Sequence, residues 1–491
     1  MSYKNRIING FIIVFVFNLL ASLAGYLTRI FLARTISPEQ FGLFYSIYTL
    51  FMFITIFTDM GYNQSLVKYI PEFVSSKNRQ SLSKLIRYVI NVNLILTAII
   101  SLIILSISRF IATGYLHMPG ATNLIILGVV ILIINNIVGF VQVLFQAFQD
   151  MFKFGLMYFL SKMLFFLCTV FLFYVGFSND VTLPLIAYIL SCAFILILFG
   201  YSAYRLIIPR IKHKYFDKKM FDKITRFALP NMISTIAGTV IGYIDTIILT
   251  PLVSLSLVGV YNATLSTILI LSYLGGVVAT VLFPLISELS HKKLNKDMEQ
   301  LIAIIYRYSL IIILPCALGV FFFAKMILYM LFGEAFVIGA TAMSILSIGM
   351  IFLVIAQVNF AILNGLGKPK KITNITIVAA IFNAIGNIIL IPYFGINGSA
   401  LITTLSYFIM MLWSYIILKK QINIKVPKIP GIIISSIVFF ASLYGLKSVI
   451  SMNMYAEIIV IGLISACIYI GMLFGLRILT VGEIKNVLKR I

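Results

Sequence analysis

The feature that most restricts this chain is a succession of fourteen near-continuous apolar segments. Their approximate bounds are 9–33, 41–59, 84–108, 120–147, 153–176, 182–204, 226–250, 255–287, 300–324, 336–361, 372–393, 396–418, 430–450 and 455–477. Each is about as long as the roughly 20 residues that cross a hydrocarbon layer. They are apolar on every side, unlike the alternating strands of a barrel. A helix satisfies its backbone polar groups internally, so these segments read as membrane-spanning helices. Only 10% of the residues are charged, where a soluble domain has about 25%. The expected fold is an all-α polytopic membrane protein with 14 transmembrane helices.

The net charge of +23 does not point to nucleic acid, because the cations lie in short loops between spans. With the N-terminus inside, 30 of the 37 Lys and Arg residues fall on the cytoplasmic side. Five (Arg29, Arg34, Arg109, Lys325 and Lys447) lie outside or in outer halves. Lys162 and Arg307 lie in the inner halves of spans. A missed span would reverse this bias downstream, so both termini are expected in the cytoplasm. Lys4 and Arg6 precede an apolar run too long for a signal-peptide core, which reads as a retained first span.

The two halves of the chain are related. Glu72-Phe73 matches Glu288-Leu289, and Leu85-Ile86 matches Leu301-Ile302, at one offset. Tyr174-Val-Gly176 and Tyr188 return as Tyr393-Phe-Gly395 and Tyr407. Six spans in each copy make this a parallel repeat: two six-helix lobes around a central cavity. The expected organisation is an N-lobe at 1–204, a basic cytoplasmic linker at 205–225 and a C-lobe at 226–420. Two appended helices follow at 421–477, then a cytoplasmic amphipathic tail at 478–491.

Intramembrane charge is costly and marks candidate sites. Arg29 lies about five residues from the outer end of the first span. It either snorkels to the outer headgroups or faces the cavity, where a guanidinium suits bidentate phosphate contact. Arg34 sits at the rim. Lys162 could reach a phosphate or the cytoplasmic surface. Asp245 occupies the repeat position of Arg29; it is a structural carboxylate, a partner for Arg29 or a cation ligand. Asn383 and Asn387 share a helix face, with Thr403 and Thr404 following. They join helices by hydrogen bonds or, with one carboxylate, offer oxygens to a small hard cation such as sodium. Gln142, Gln146 and Gln149, with Asn135 and Asn136, could form a polar wall for sugars. Asp59 and Glu72 read as structural residues at the cytoplasmic ends of their segments.

No Walker, HExxH or acyl-transfer motif is present. Cys168, Cys192, Cys316 and Cys467 lack metal-ligand spacing. The chain is therefore expected not to be an enzyme and to need no cofactor. Transport would draw on an ion gradient, the membrane potential or the substrate gradient.

Several motifs carry a resemblance: Arg29-Ile-Phe-Leu-Ala-Arg34, Ser37-Pro38-Glu39-Gln-Phe41-Gly42-Leu-Phe44, Asp59-Met-Gly61, Lys68-Tyr-Ile-Pro71-Glu72 and Tyr393-Phe-Gly395-Ile-Asn-Gly398-Ser-Ala400. In this order, the chain resembles the polysaccharide (O-antigen type) oligosaccharide flippases. Their superfamily includes the lipid II flippases and the multidrug and toxic compound extrusion exporters. The resemblance implies movement of a polyprenyl- or dolichyl-(di)phosphate-linked oligosaccharide to the outer leaflet of the plasma membrane. It implies phosphate binding at Arg29 and, more weakly, Arg34. It also implies a sodium site among Asp245, Asn383, Asn387 and Thr403, with Asn387 where a carboxylate would be expected. Sodium or protons are the candidate coupling ions. Membrane lipids and glycan polymerases or glycosyltransferases are the expected partners, and the expected state is a monomer. A cation-coupled multidrug exporter of the same fold is the alternative. A membrane glycan polymerase or transferase fits less well, since the outer loops are short.

Overall fold

A computed structural model describes residues 3–207, 218–422, 428–480 and 482. Ten of the 21 residues of the basic linker and ten of the 14 residues of the C-terminal tail lie outside these residues. Among the described residues every regular element is helical. Thirteen stretches of the described residues are long and apolar enough to cross a membrane.

The chain divides into two compact units, Met1–Gly259 and Val260–Ile491. The first holds α1 (Tyr3–Thr35), α2 (Pro38–Asp59), α3 (Tyr62–Ser75), α4 (Arg79–Ser106), the short α5 (Ser108–Phe110), α6 (Thr122–Ala147), α7 (Met151–Tyr174), α8 (Thr182–Ile207) and α9 (Lys218–Leu252). In this unit α1 packs along α7, and α6 lies among α2, α3, α4, α7 and α8. Helix α9, which the sequence reading assigns to the C-lobe, packs in this unit against α2, α3 and α4.

The Ser37-Pro38-Glu39 motif is a helix start. The Ser37 side chain accepts from the Gln40 N–H at 3.2 Å, and Pro38 occupies the first turn, where its missing N–H costs nothing. Gln40 Oε1 in turn accepts from the Val181 N–H at 3.0 Å, fixing the start of α2 to that of α8. At its other end α2 stops at Met60 and Gly61, both in the left-handed region (φ 46° and 79°). The Asp59 carboxylate then accepts from the Asn63 N–H at 2.7 Å and caps α3. Gly61 is also a close approach: a Cβ there would sit 2.5 Å from the Ala228 carbonyl oxygen of α9.

Helix α3 fills the interval between the second and third expected spans, where no element is expected from the sequence. Its apolar residues recur with helical spacing: Tyr62, Leu66, Tyr69, Ile70 and Phe73 are buried against α4, α6 and α9. Too polar to span, it has no long apolar run to mark it.

The second unit holds the remainder of α10 (Leu255–Ile268), then α11 (Ser272–His291), α12 (Asn295–Phe332), α13 (Ala340–Gly365), α14 (Pro369–Lys419), α15 (Ile429–Val449) and α16 (Met454–Gly475). The eighth expected span is interrupted by a 3₁₀ turn at Leu269–Leu271 between α10 and α11. Helix α14 is nominally 51 residues long, about 77 Å at 1.5 Å per residue. Gly395 breaks it with non-helical backbone (φ 52°, ψ −133°). Asn383 and Thr403 would be about 30 Å apart in one continuous helix, yet Asn383 Nδ2 donates to Thr403 Oγ1 at 3.2 Å. The element is therefore a helical hairpin whose limbs coincide with the eleventh and twelfth expected spans.

Asn359 of α13 ties this hairpin down. It accepts from the Tyr306 hydroxyl and donates to Ser414 Oγ at 2.8 Å and to the Met411 carbonyl at 3.2 Å. Such interhelical bonds contribute about 0.6–2 kcal/mol each within a membrane. The appended helices α15 and α16 pack on α12 through Ile311, Phe323, Phe439 and Leu473. The Tyr469 hydroxyl donates to the Ile311 carbonyl at 3.0 Å. Lys447 and buried Glu457 pair across their connection.

Candidate functional site

The first unit brings Arg29 and Lys162 together. Arg29 is half-buried on α1, its guanidinium 4.7 Å from the centroid of the Tyr45 ring. Lys162 on α7 crosses α1 one turn away: a Cβ on Gly25 would meet its Cδ at 3.9 Å. Both cations lie within electrostatic reach of the Tyr243 phenol on α9. The charge of Arg29 is also felt at Tyr48, and that of Lys162 at Cys192. Arg29 thus lies against a cluster of rings, in which Tyr45 neighbours Tyr48 and Tyr48 is edge-on to Tyr188 at 5.5 Å. A cation held against an aromatic face, away from bulk water, keeps its charge available to an anion.

Tyr243 also lines a second region. A cavity of about 300 Å³ opens among α2, α6 and α9. Its polar lining includes Asp59, Asn63, Asn135, Asn136, Thr235 and Thr239. The Tyr188 hydroxyl donates to Asn135 Oδ1 at 2.9 Å, so tyrosines link the cationic cluster to the amide-lined cavity. Asn93 Nδ2 donates to Asn63 Oδ1 at 2.9 Å, and Asn136 Nδ2 donates to Thr97 Oγ1.

The organising element is α2. Tyr45, Tyr48, Met52, Thr55 and Asp59 follow one another at three- and four-residue steps, hence along one face. From Tyr45 to Asp59 this face runs about 21 Å at 1.5 Å per residue. Sequence reasoning misses this stripe, because tyrosine and methionine count as apolar and Asp59 looks like a helix-end residue. Asp59 does cap α3, and it also lines the cavity.

The remaining candidates are dispersed. Arg34 is exposed in the last turn of α1. Gln142 and Gln146 are half-buried; they continue the Asn135–Gly139 face of α6 but are not among the cavity's lining residues. Asp245 is buried at 2% exposure on α9, in the first unit. It is two residues from Tyr243, and such neighbours do not share a helix face. In the second unit, Asn387 Nδ2 donates to the Asn383 carbonyl at 2.9 Å and to its Oδ1 at 3.1 Å. With the Asn383–Thr403 bond, these three side chains form one buried group across the α14 hairpin. Glu72 pairs with Lys223 at 3.4 Å. Outside the spans, Tyr115 donates to the Ile247 carbonyl at 3.1 Å. Burial pushes its phenol up to about 12, so it remains a neutral donor.

Comparison with known proteins defines the class. The sequence profile of the polysaccharide biosynthesis protein family matches residues 7–290, and the chain belongs to that family. Its structure has the fold shared by lipid II flippases and multidrug exporters. The inward closed conformation of the lipid II flippase MurJ superposes with a TM-score of 0.76 at 15% identity, covering 95% of this chain and all of that one. An inward-facing multidrug resistance MATE family transporter gives 0.64 at 15% identity, over 82% of this chain and 96% of its own.

Among individual proteins, the chain is 30% identical to the uncharacterized membrane protein MJ1068 of Methanocaldococcus jannaschii, over 100% of this chain and 99% of that protein. It is 25% identical to the probable low-salt glycan biosynthesis flippase Agl15 of Haloferax volcanii, over 51% of each. The relatives named for an activity are flippases, transporters or biosynthesis proteins.

Proposed function

We propose that this protein is a flippase that moves a polyprenyl- or dolichyl-(di)phosphate-linked oligosaccharide from the cytoplasmic to the outer leaflet. The observation that carries this reading is that Arg29 and Lys162, on the packed helices α1 and α7, both lie within electrostatic reach of Tyr243, which itself lines a cavity of amides and hydroxyls. Two cations with phenol donors suit a phosphate or diphosphate. Amides and hydroxyls suit sugars, and the lipid tail stays in the bilayer. The chain crosses the plasma membrane fourteen times with both termini in the cytoplasm, and two lobes alternate access to the site. The test is a strain lacking the gene: surface glycan disappears, lipid-linked precursor accumulates inside, and this gene restores export. Unchanged surface glycan in that strain refutes the proposal.

Asp59 is the one observation favouring a multidrug exporter, because a cavity carboxylate attracts cationic drugs. The Arg29–Lys162 pair opposes it, since those cations repel such compounds.

Coupling is proposed to run through a cation. Asp245 is a buried carboxylate, and Asn383, Asn387 and Thr403 are gathered as oxygen-bearing groups, each within its own unit. Replacing sodium by potassium is expected to slow transport in reconstituted vesicles about tenfold, the loss of about 1.4 kcal/mol of driving interaction. Asp245→Asn is expected to remove that dependence. Sodium-dependent transport that survives Asp245→Asn would refute this assignment.

A further inference from the structure

The cavity beside Asp59 has a charge character opposite to that of the Arg29–Lys162 cluster. Its described lining residues include no Lys, Arg or His. Nearby cations point elsewhere: Lys68 lies 3.9 Å from the Phe227 ring centroid, and Lys223 pairs with Glu72. No ion pair forms between Asp59 and a described residue. Its carboxylate accepts from the backbone N–H groups of Asn63 and Gly61. A carboxylate offers about four acceptor positions, so it retains capacity for further donors.

The amides around it are presented in a complementary way. Asn63 Oδ1 is occupied by Asn93, which leaves the Asn63 Nδ2 hydrogens for a guest. Asn135 Oδ1 is occupied by Tyr188, and Asn135 Nδ2 makes only a long contact of 3.7 Å to the Met52 sulfur. Asn136 spends its Nδ2 on Thr97. Thr55, Thr235 and Thr239 add hydroxyls. Mixed donors and acceptors with one anionic acceptor form a polyol site. At about 300 Å³ the space is at the size of small-ligand pockets and far larger than a bare cation needs.

We infer that Asp59 determines sugar specificity: the end of the cavity distant from Arg29 accepts a neutral or amino sugar and rejects an acidic one. This rests on the flippase reading, and adds to it which kind of sugar the carrier can bring. A neutral sugar donates hydroxyl hydrogens to the Asp59 carboxylate. A uronate would place a second carboxylate beside it in a site with low dielectric, where like charges disfavour each other strongly. An ammonium sugar would gain an opposite charge instead.

The test uses purified full-length protein in vesicles and two synthetic polyprenyl-diphosphate tetrasaccharides. They differ only in the sugar farthest from the diphosphate, a hexose in one and a hexuronate in the other. Wild-type protein is expected to move the hexose compound at least about tenfold faster. In Asp59→Asn, whose amide oxygen can still cap α3, the ratio is expected to fall to about one, mainly by a gain for the uronate. Equal wild-type rates for the two compounds overturn the specificity role and leave the flippase reading standing. If neither compound moves, the flippase reading fails and this one with it. If folded Asp59→Asn moves neither while wild type moves the hexose compound, Asp59 serves coupling and the specificity role is overturned.

Discussion

Arg29→Ala is expected to abolish glycan export while leaving the protein inserted and folded. The guanidinium lies over Tyr45 and shares its electrostatic field with Lys162. Charge-assisted hydrogen bonds contribute about 1.5–3 kcal/mol each, and a bidentate phosphate contact makes two. Losing both lowers occupancy by at least about a hundredfold, with Lys162 alone left to hold the anion. Arg29→Lys keeps the charge but loses the planar fork, so a residual rate about a tenth of wild type is expected. Surface glycan and vesicle translocation report the rate; detergent-solubilised monodisperse protein reports the fold. Normal export by Arg29→Ala would place Arg29 among snorkelling residues and remove it from the phosphate site.

Gly42→Ala is expected to be nearly as damaging, for a packing reason. Gly42 near the start of α2 and Gly259 on α10 meet backbone to backbone. A Cβ on Gly42 would overlap the Leu255 carbonyl oxygen and sit 2.8 Å from the Gly259 nitrogen. A Cβ on Gly259 would sit 2.5 Å from the Pro38 carbonyl oxygen. Small residues that let helix backbones touch are a membrane-protein device, because dispersion contacts rather than hydrophobic burial hold helices together there. The obstruction is backbone, so no side-chain rotation relieves it. Overpacking costs about 1–3 kcal/mol and occasionally more. The expected results are a lower thermal midpoint in detergent and export below about a tenth of wild type. Gly176→Ala is a control for added volume, since nothing lies within 4 Å of a Cβ there. Gly176 has φ 73°, so an alanine there adds backbone strain without the clash, and Gly42→Ala is expected to be the more damaging of the two. A Gly42→Ala protein as stable and active as wild type would show that the two helices part without cost.

Much of the fold is legible in the sequence because membrane helices advertise themselves: long apolar runs leave no other way to satisfy the backbone. Even the turn at Gly395 is visible as Tyr393-Phe-Gly395. What escapes a linear reading is shorter or tertiary. Helix α3 is amphipathic rather than apolar, so its signal lies in the spacing of Leu66, Tyr69, Ile70 and Phe73. The packing of α9 with α2, α3 and α4 depends on contacts that no local pattern encodes.

The site divides in the same way. Arg29 and Lys162 stand out singly as charges in spans, and their meeting is a product of α1–α7 packing. Asn135 and Asn136 are legible as candidate sugar-wall residues. Asp59 is undervalued by sequence because it sits beside a helix stop and caps the next helix, a sufficient structural reason in itself. Its second position, on the cavity face with Tyr48 and Thr55, emerges only when the α2 stripe is followed to its end.

The most direct test is translocation of a fluorescent polyprenyl-diphosphate oligosaccharide in vesicles whose sole protein is this one. A membrane-impermeant glycosidase or quencher added outside reads transbilayer movement. The account predicts that wild-type protein exposes the inner-leaflet pool to the reagent and that Arg29→Ala does not. Movement no faster than in protein-free vesicles, or equal movement with Arg29→Ala, would contradict it.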